Sequence, residues 1–249
     1  MVKKNDMENK SSNFDLTILP VRQDNYGVNI RRPYHPLLPK IDKGANVLMV
    51  SSSGSGKSSI LCNILLNNNF YKDAFDDVYV FSTTIHQDQT GRRIKEAFPA
   101  TSYDSFDESR LQKILDYQDS FESDERPAIA IILDDLPNTL RPKSLFFTLS
   151  TNYRHHGIGL LLYSVQSFKM VSPIVRNNAS NLILGTVNSS QLKQISDTYA
   201  ENFGGEDNFT RYYRLAVPER FNFLYAKLDE FPNKLYKAFE DRVLYEDQM

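Results

Sequence analysis

The sequence predicts an α/β architecture: a mostly parallel sheet between two layers of helices. Three observations carry that prediction. Short apolar runs alternate with helical patterns along the chain. Two of these runs, 128–133 and 160–163, lack polar alternation, as strands covered on both faces require. A third, 46–50, ends in a Gly/Ser loop that opens directly onto a helical pattern.

From the N-terminus, residues 1–13 are polar and charged and read as a disordered tail. Residues 14–249 read as one domain, a length that suits a single large α/β unit. The stretch 14–45 holds Pro20, Pro33, Pro36 and Pro39 around Arg31-Arg32, an extended lead-in with one strand at 15–19. After the 46–50 strand, Ile60, Leu61, Ile64 and Leu65 recur at helical spacing, and Asn67-Asn68-Asn69 ends that helix. Strands are expected at 77–82, 128–133, 159–165 and 181–184. Helices are expected near 92–98, 108–117, 144–153 and 190–199. The runs 212–217 and 222–227 flank Pro218-Glu219-Arg220 and read as a hairpin, with a closing helix over 234–243.

Composition narrows the function classes. Apolar residues make up 41% and aromatics 12%, enough for a sizeable core without any Trp. The net charge of −2 excludes a globally basic nucleic-acid coat, although a ring could still grip DNA through a few loops. One cysteine, Cys62, allows no internal disulfide, and no Cys/His metal spacing occurs. His155-His156 reads as a surface turn. The apolar runs are too short to span a bilayer and the N-terminus shows no signal peptide, so a soluble, non-secreted protein is expected.

The 51–59 segment carries the chemistry. Gly56-Lys57-Ser58 matches the end of G-x-x-x-x-G-K-[ST], in the strand–loop–helix setting that pattern needs. Ser51 stands where the pattern has its first Gly, while Gly54 keeps the loop pliable. A loop of this kind presents backbone N–H groups and a helix N-terminus to phosphate, so Ser52, Ser53, Gly54, Ser55, Gly56, Lys57, Ser58 and Ser59 are the candidate nucleotide contacts. Lys57 would reach the β- and γ-phosphates of ATP, and Ser58 would give its hydroxyl to Mg²⁺. These features predict a P-loop nucleoside triphosphatase.

The 128–133 strand ends in Asp134-Asp135. A first acid at such a strand end orders the Mg²⁺ shell, which assigns Asp134 to the metal. The second can polarise the attacking water as general base, which assigns Asp135 to catalysis. The 159–165 strand ends in Gln166, which would open on the same crevice as γ-phosphate sensor or water holder. Arg154 is a candidate arginine finger for a neighbouring subunit's nucleotide, with Arg176 as a second choice.

Four elements in this order, Ser-Gly-Lys-Ser-Ser (55–59), Ile-Ile-Leu-Asp-Asp (131–135), Arg-His-His-Gly-Ile with Ser-Val-Gln (154–166) and Arg-Asn-Asn-Ala-Ser (176–180), resemble the genome-packaging ATPases of poxviruses, other large DNA viruses and virophages. That group is a branch of the FtsK–HerA superfamily. The resemblance covers about residues 44–187. It implies an ASCE-type, RecA-like three-layer sandwich, and a ring, expected to be a hexamer, that pumps double-stranded DNA into a preformed capsid. It places the protein in the host cytoplasm, viral factory or virion, with capsid proteins as partners. It carries nucleotide roles onto Lys57, Ser58, Asp134 and Asp135, a sensor role onto Gln166 and a trans-acting finger onto Arg154.

Other readings compete. A GTPase should show Asn-Lys-x-Asp, but Asn233-Lys234 is followed by Leu235-Tyr236. A small-molecule kinase needs an arginine-rich lid, and Arg211, Arg214 and Arg220 fall in the expected hairpin. An ATP-dependent assembly switch, or a helicase or DNA pump of the same superfamily outside packaging, remains open. For DNA contacts the candidates are Arg92, Arg93, Arg141 and Lys143, against the plainer reading of solvated surface charge.

Overall fold

The computed structural model describes residues 27–136, 142–240 and 243–246. The expected tail at 1–13, the expected strand at 15–19 and Arg141 lie outside the described residues. The elements run β1 (Ala45–Val50), α1 (Lys57–Leu66), β2 (Asp77–Ser82), α2 (Gln89–Ala97), β3 (Ser102–Tyr103), α3 (Glu108–Asp119), β4 (Ile129–Asp134), α4 (Leu145–Asn152), β5 (Ile158–Val165), α5 (Pro173–Asn177), β6 (Asn181–Leu184), α6 (Ser189–Tyr199), α7 (Glu206–Ala216), β7 (Leu224–Lys227), β8 (Lys234–Lys237) and β9 (Val243–Glu246).

The strands form one sheet in the order β3-β2-β4-β5-β1-β6-β7-β8-β9. From β3 to β6 every pairing is parallel, and β7, β8 and β9 extend the sheet antiparallel. β1, β4 and β5 are buried along their whole length, which explains their unbroken apolar runs. Side chains on one face pack against α1, α2 and the lead-in through Leu61, Leu65, Ile94 and Ile41. On the other face, Leu111, Phe146, Ile195 and Phe209 bring in α3, α4, α6 and α7. The result is the expected three-layer sandwich. Among the described residues no helix is long and apolar enough to cross a membrane.

Two C-terminal expectations are corrected. Residues 212–217 are not a strand; they close α7, because Phe209, Tyr213 and Ala216 are the buried positions, a spacing of four and three. Residues 234–243 are not a helix. Leu235 packs into one core and Tyr236 into the other, and only the two-residue period of a strand sends neighbours to opposite faces. A C-terminal hairpin is present all the same, as β7–β8 with β9 added.

Two sequence motifs make their contacts away from the phosphate loop. Arg32 donates to the carbonyls of Asn68 and Lys72, while Arg31 pairs with Asp76, so the lead-in is fastened to the α1–β2 connection. At the start of β1, the buried Asn46 amide donates to the carbonyls of Ser150 (3.1 Å) and Asn178 (2.9 Å). The Asn46 N–H donates to Ser180 Oγ at 2.9 Å. The Arg-Asn-Asn-Ala-Ser segment therefore anchors the far end of β1 rather than lining the loop at its other end.

Candidate nucleotide-binding site

β1, β4 and β5 are adjacent and parallel, so their C-terminal ends open on one edge of the sheet. That edge holds a cleft of about 400 Å³, lined by Ser53, Gly54, Gly56, Lys57, Ser58, Ser59, Asp134, Asp135 and Gln166 among others. Groups from three separated parts of the chain, expected to act together, thus meet in one cavity.

The loop between β1 and α1 needs two left-handed residues, and glycine supplies both, at Gly54 (φ 68°) and Gly56 (φ 95°). α1 starts at Lys57, and no side chain caps it, whereas Asp88, Asp107, Ser144, Ser172 and Asn188 cap α2 to α6. First-turn N–H groups have no acceptor within their own helix, so those of α1 are available to an anion. Ser51 fits where the motif has Gly because Gly185 stands opposite: a Cβ there would meet Ser51 Cβ at 2.9 Å. Ser51 Oγ lies 2.5 Å from Ser55 Oγ, and Ser55 Oγ donates to the Ser52 carbonyl at 2.5 Å. Ser52 and Ser55, expected as contacts, do not line the cleft; they brace the loop from inside.

Lys57 is buried and donates to the carbonyls of Ser51 (2.9 Å) and Ser52 (3.3 Å). Burial lowers its pKa, while Asp135 and Asp134 oppose that shift. Asp134 accepts from Ser164 Oγ at 2.5 Å and Ser82 Oγ at 3.1 Å, hydroxyls at the ends of the flanking strands β5 and β2. Burial pushes its carboxyl above the ordinary range, against those two hydrogen bonds and Lys57. Asp135 is held at φ 55°, its N–H donating to the Ser164 carbonyl at 3.1 Å. Gln166 Nε2 donates to Asp135 Oδ2, which joins the two residues assigned to water.

Ser58 and Asp134 supply a hydroxyl and a carboxylate to the same cleft, oxygen donors of the kind Mg²⁺ takes. The residues present therefore fit a magnesium–nucleotide complex.

Arg154 and Arg176 lie elsewhere. Arg154 sits beside Gly44, before β1 and β5 begin, at the opposite edge of the sheet. Arg176 stacks on Phe168 at 4.2 Å and donates to the Val171 carbonyl at 2.6 Å. Arg92 and Arg93 are exposed on α2, and Lys143 is exposed beyond the acidic pair. His156 pairs with Asp119 at 2.9 Å.

Sequence reasoning missed several groups. Ser82 and Ser164 carry a visible signal, since each is a small polar residue at or next to the C-terminal end of a largely apolar strand. Thr84, Gln87 and Asp88 from the β2–α2 connection, and Thr90 from the first turn of α2, line the cleft, with Asp88 also capping α2 through the Gly91 N–H at 2.6 Å. Arg220 donates to the Gly54 carbonyl from Nε (2.9 Å) and Nη2 (2.6 Å), and Phe221 reaches the same cleft. No local pattern announces either, because 166 residues separate Arg220 from Gly54.

No family model and no curated protein matches the sequence. Solved structures do match. The genome packaging NTPase B204 from Sulfolobus turreted icosahedral virus 2, in complex with AMPPCP, aligns at 17% identity and a TM-score of 0.55, covering 78% of this chain and 98% of that one. Its complex with sulfate gives 17% and 0.54, with 78% and 97% covered. Its complex with ATP-gammaS gives 16% and 0.52, with 80% and 99% covered. The chain thus has the α/β P-loop NTPase fold seen in the B204 packaging NTPase, with antiparallel strands added at the C-terminal edge of the sheet.

Proposed function

We propose that the protein is an ATP-driven motor that packages double-stranded DNA into a preformed capsid. The observation that carries the ATPase part is the meeting of Lys57, Ser58, Asp134, Asp135 and Gln166 in one cleft. The packaging part is supported by the order of sequence motifs and by the fold shared with a packaging NTPase.

Each residue has a task. The loop amides and Lys57 bind the phosphate chain and offset its charge. Ser58 and Asp134 would hold Mg²⁺, which when bound neutralises charge on the phosphates. Ser82 and Ser164 fix the Asp134 carboxylate in one orientation. Asp135 accepts a proton from the attacking water, and Gln166 orients both. Arg154 would complete the site of a neighbouring copy in a ring, most simply a hexamer. Arg92, Arg93 and Lys143, with Arg141, are the proposed contacts to DNA phosphates.

The test is ATP hydrolysis with and without linear double-stranded DNA. Wild type should be stimulated by DNA, and Lys57→Ala and Asp135→Asn should each lose about 100-fold or more. Turnover indifferent to DNA at every protein concentration that allows assembly would overturn the motor, leaving a switch or small-substrate enzyme.

A further inference from the structure

Beside the phosphate cleft lies a second cavity of about 320 Å³, lined by Ile60, Asn63, Phe70, Phe221, Phe223 and Phe239, together with Gly56 and Ser59. Its size falls in the range of about 300–1,000 Å³ common to small-molecule sites. Four phenylalanines converge there, Phe70 from after α1 and Phe221, Phe223 and Phe239 from the C-terminal part of the chain. Three of them form one rigid corner: Phe239 meets Phe70 at 5.5 Å and Phe223 at 5.2 Å, both edge to face.

Phe221 is different. It is 62% exposed, and its backbone sits at φ 75°, a conformation that side chains rarely adopt. Next to it, Arg220 grips the Gly54 carbonyl with two N–H groups, so the phosphate loop itself holds the Phe221 ring over the cavity. The ring closes on the loop because residue 56 is glycine; a Cβ there would meet Phe221 Cδ1 at 3.0 Å.

Gly56, Ser59 and Phe221 are common to both cavities. A phosphate chain seated on the Lys57 and Ser58 end of the cleft, where Asp134 and Asp135 lie, would pass from one cavity to the other across this shared wall. Beyond its phosphates a nucleotide carries a sugar and then a flat, apolar-faced base.

We propose that the aromatic cavity is the base subsite, with Phe221 as a stacking lid over the nucleotide base and Phe70, Phe223 and Phe239 as its floor. This inference rests on the nucleotide reading of the phosphate cleft. Every base has a π-face, so a stacking lid grips the base without reading its edge.

The test exploits the absence of tryptophan from the chain. Full-length Phe221→Trp carries a single indole at the lid. Mg-ATP should quench its fluorescence, whereas magnesium tripolyphosphate, a phosphate chain without a base, should bind without quenching. In calorimetry, Phe221→Ala should weaken Mg-ATP binding by about 10-fold or more, the scale of one lost stack, with tripolyphosphate affinity unchanged. Lys57→Ala should weaken both ligands. If Phe221→Ala binds ATP as wild type does, or loses ATP and tripolyphosphate equally, the base subsite is overturned while the phosphate site stands. If wild type binds neither ligand, the nucleotide reading fails and the base subsite with it.

Discussion

Single atoms decide how the phosphate loop departs from its pattern. Glycine at the first motif position normally leaves room for whatever packs beside the loop. Here that position is Ser51, and the room is supplied by Gly185, which follows the neighbouring strand β6 at the same edge of the sheet. The Ser51 hydroxyl then joins Ser55, whose own hydroxyl donates to the Ser52 carbonyl that also accepts from Lys57. The pair behaves as one unit, so its energetics are not additive. Gly185→Ala should cost about 1–3 kcal/mol of stability through overpacking. In a Ser51→Gly background the same substitution should cost only a few tenths of a kcal/mol, because the clashing atoms are gone. Denaturant melts of the four variants measure the coupling, and equal costs in both backgrounds would refute the compensation.

Elements of the C-terminal third are tied to the rest of the fold by charge. Lys227, at the end of β7 and almost fully buried, donates to Glu230 at 3.1 Å and to the Pro36 carbonyl at 3.1 Å. Lys40 reaches the same Glu230 oxygen at 2.8 Å. One carboxylate thus joins the lead-in to the sheet. Burial alone would raise the Glu230 pKa, but hydrogen bonds from Lys40 and Lys227 win and hold it below the ordinary glutamate value. A depressed pKa adds stability above the unfolded-state value of about 4.3, and that stability is lost as pH falls through the folded value. Glu230→Gln should therefore destabilise the protein by about 1–3 kcal/mol at pH 7 by leaving Lys227 without its counter-charge. The gap to wild type should narrow as pH drops below about 4. A gap independent of pH would show that packing, not charge, sets it. The same region shows what local sequence hides. Strands β1, β2, β4, β5 and β6 were legible because both faces are covered and their side chains are largely apolar. The loop and acidic pair were legible because they are contiguous motifs. Tyr212-Tyr213 resembles a strand by residue type, and only the burial of Phe209, Tyr213 and Ala216 reveals the helix. β8 is four residues long, too short for any period to declare itself. Arg220 and Phe221 join the site through tertiary contact alone.

At the scale of the whole molecule, the position of Arg154 makes a statement about assembly. β5 runs from Ile158, near Gly44, to Val165, next to the phosphate loop. At about 3.3 Å per residue, its eight residues put roughly 20 Å or more between Arg154 and its own cleft. No side chain spans that distance, so a finger role for Arg154 requires another copy of the chain. Arg154 is exposed at the sheet edge, its guanidinium resting 5.3 Å from the centre of the Tyr153 ring. Subunit mixing makes the requirement measurable. Arg154→Ala keeps an intact cleft but offers no finger, and Lys57→Ala offers a finger but no working cleft. Each alone should be inactive, losing about 1,000-fold or more if the finger contributes as such arginines do. Co-assembled in equal amounts, an Arg154→Ala cleft meets a Lys57→Ala neighbour at about one site in four, so turnover should recover to about a quarter of wild type if sites act independently. Recovery should vanish on dilution below the assembly concentration. A mixture as inactive as its parts, under conditions where wild type assembles and turns over, would move the finger to a different residue. An Arg154→Ala variant with full activity would remove the role altogether.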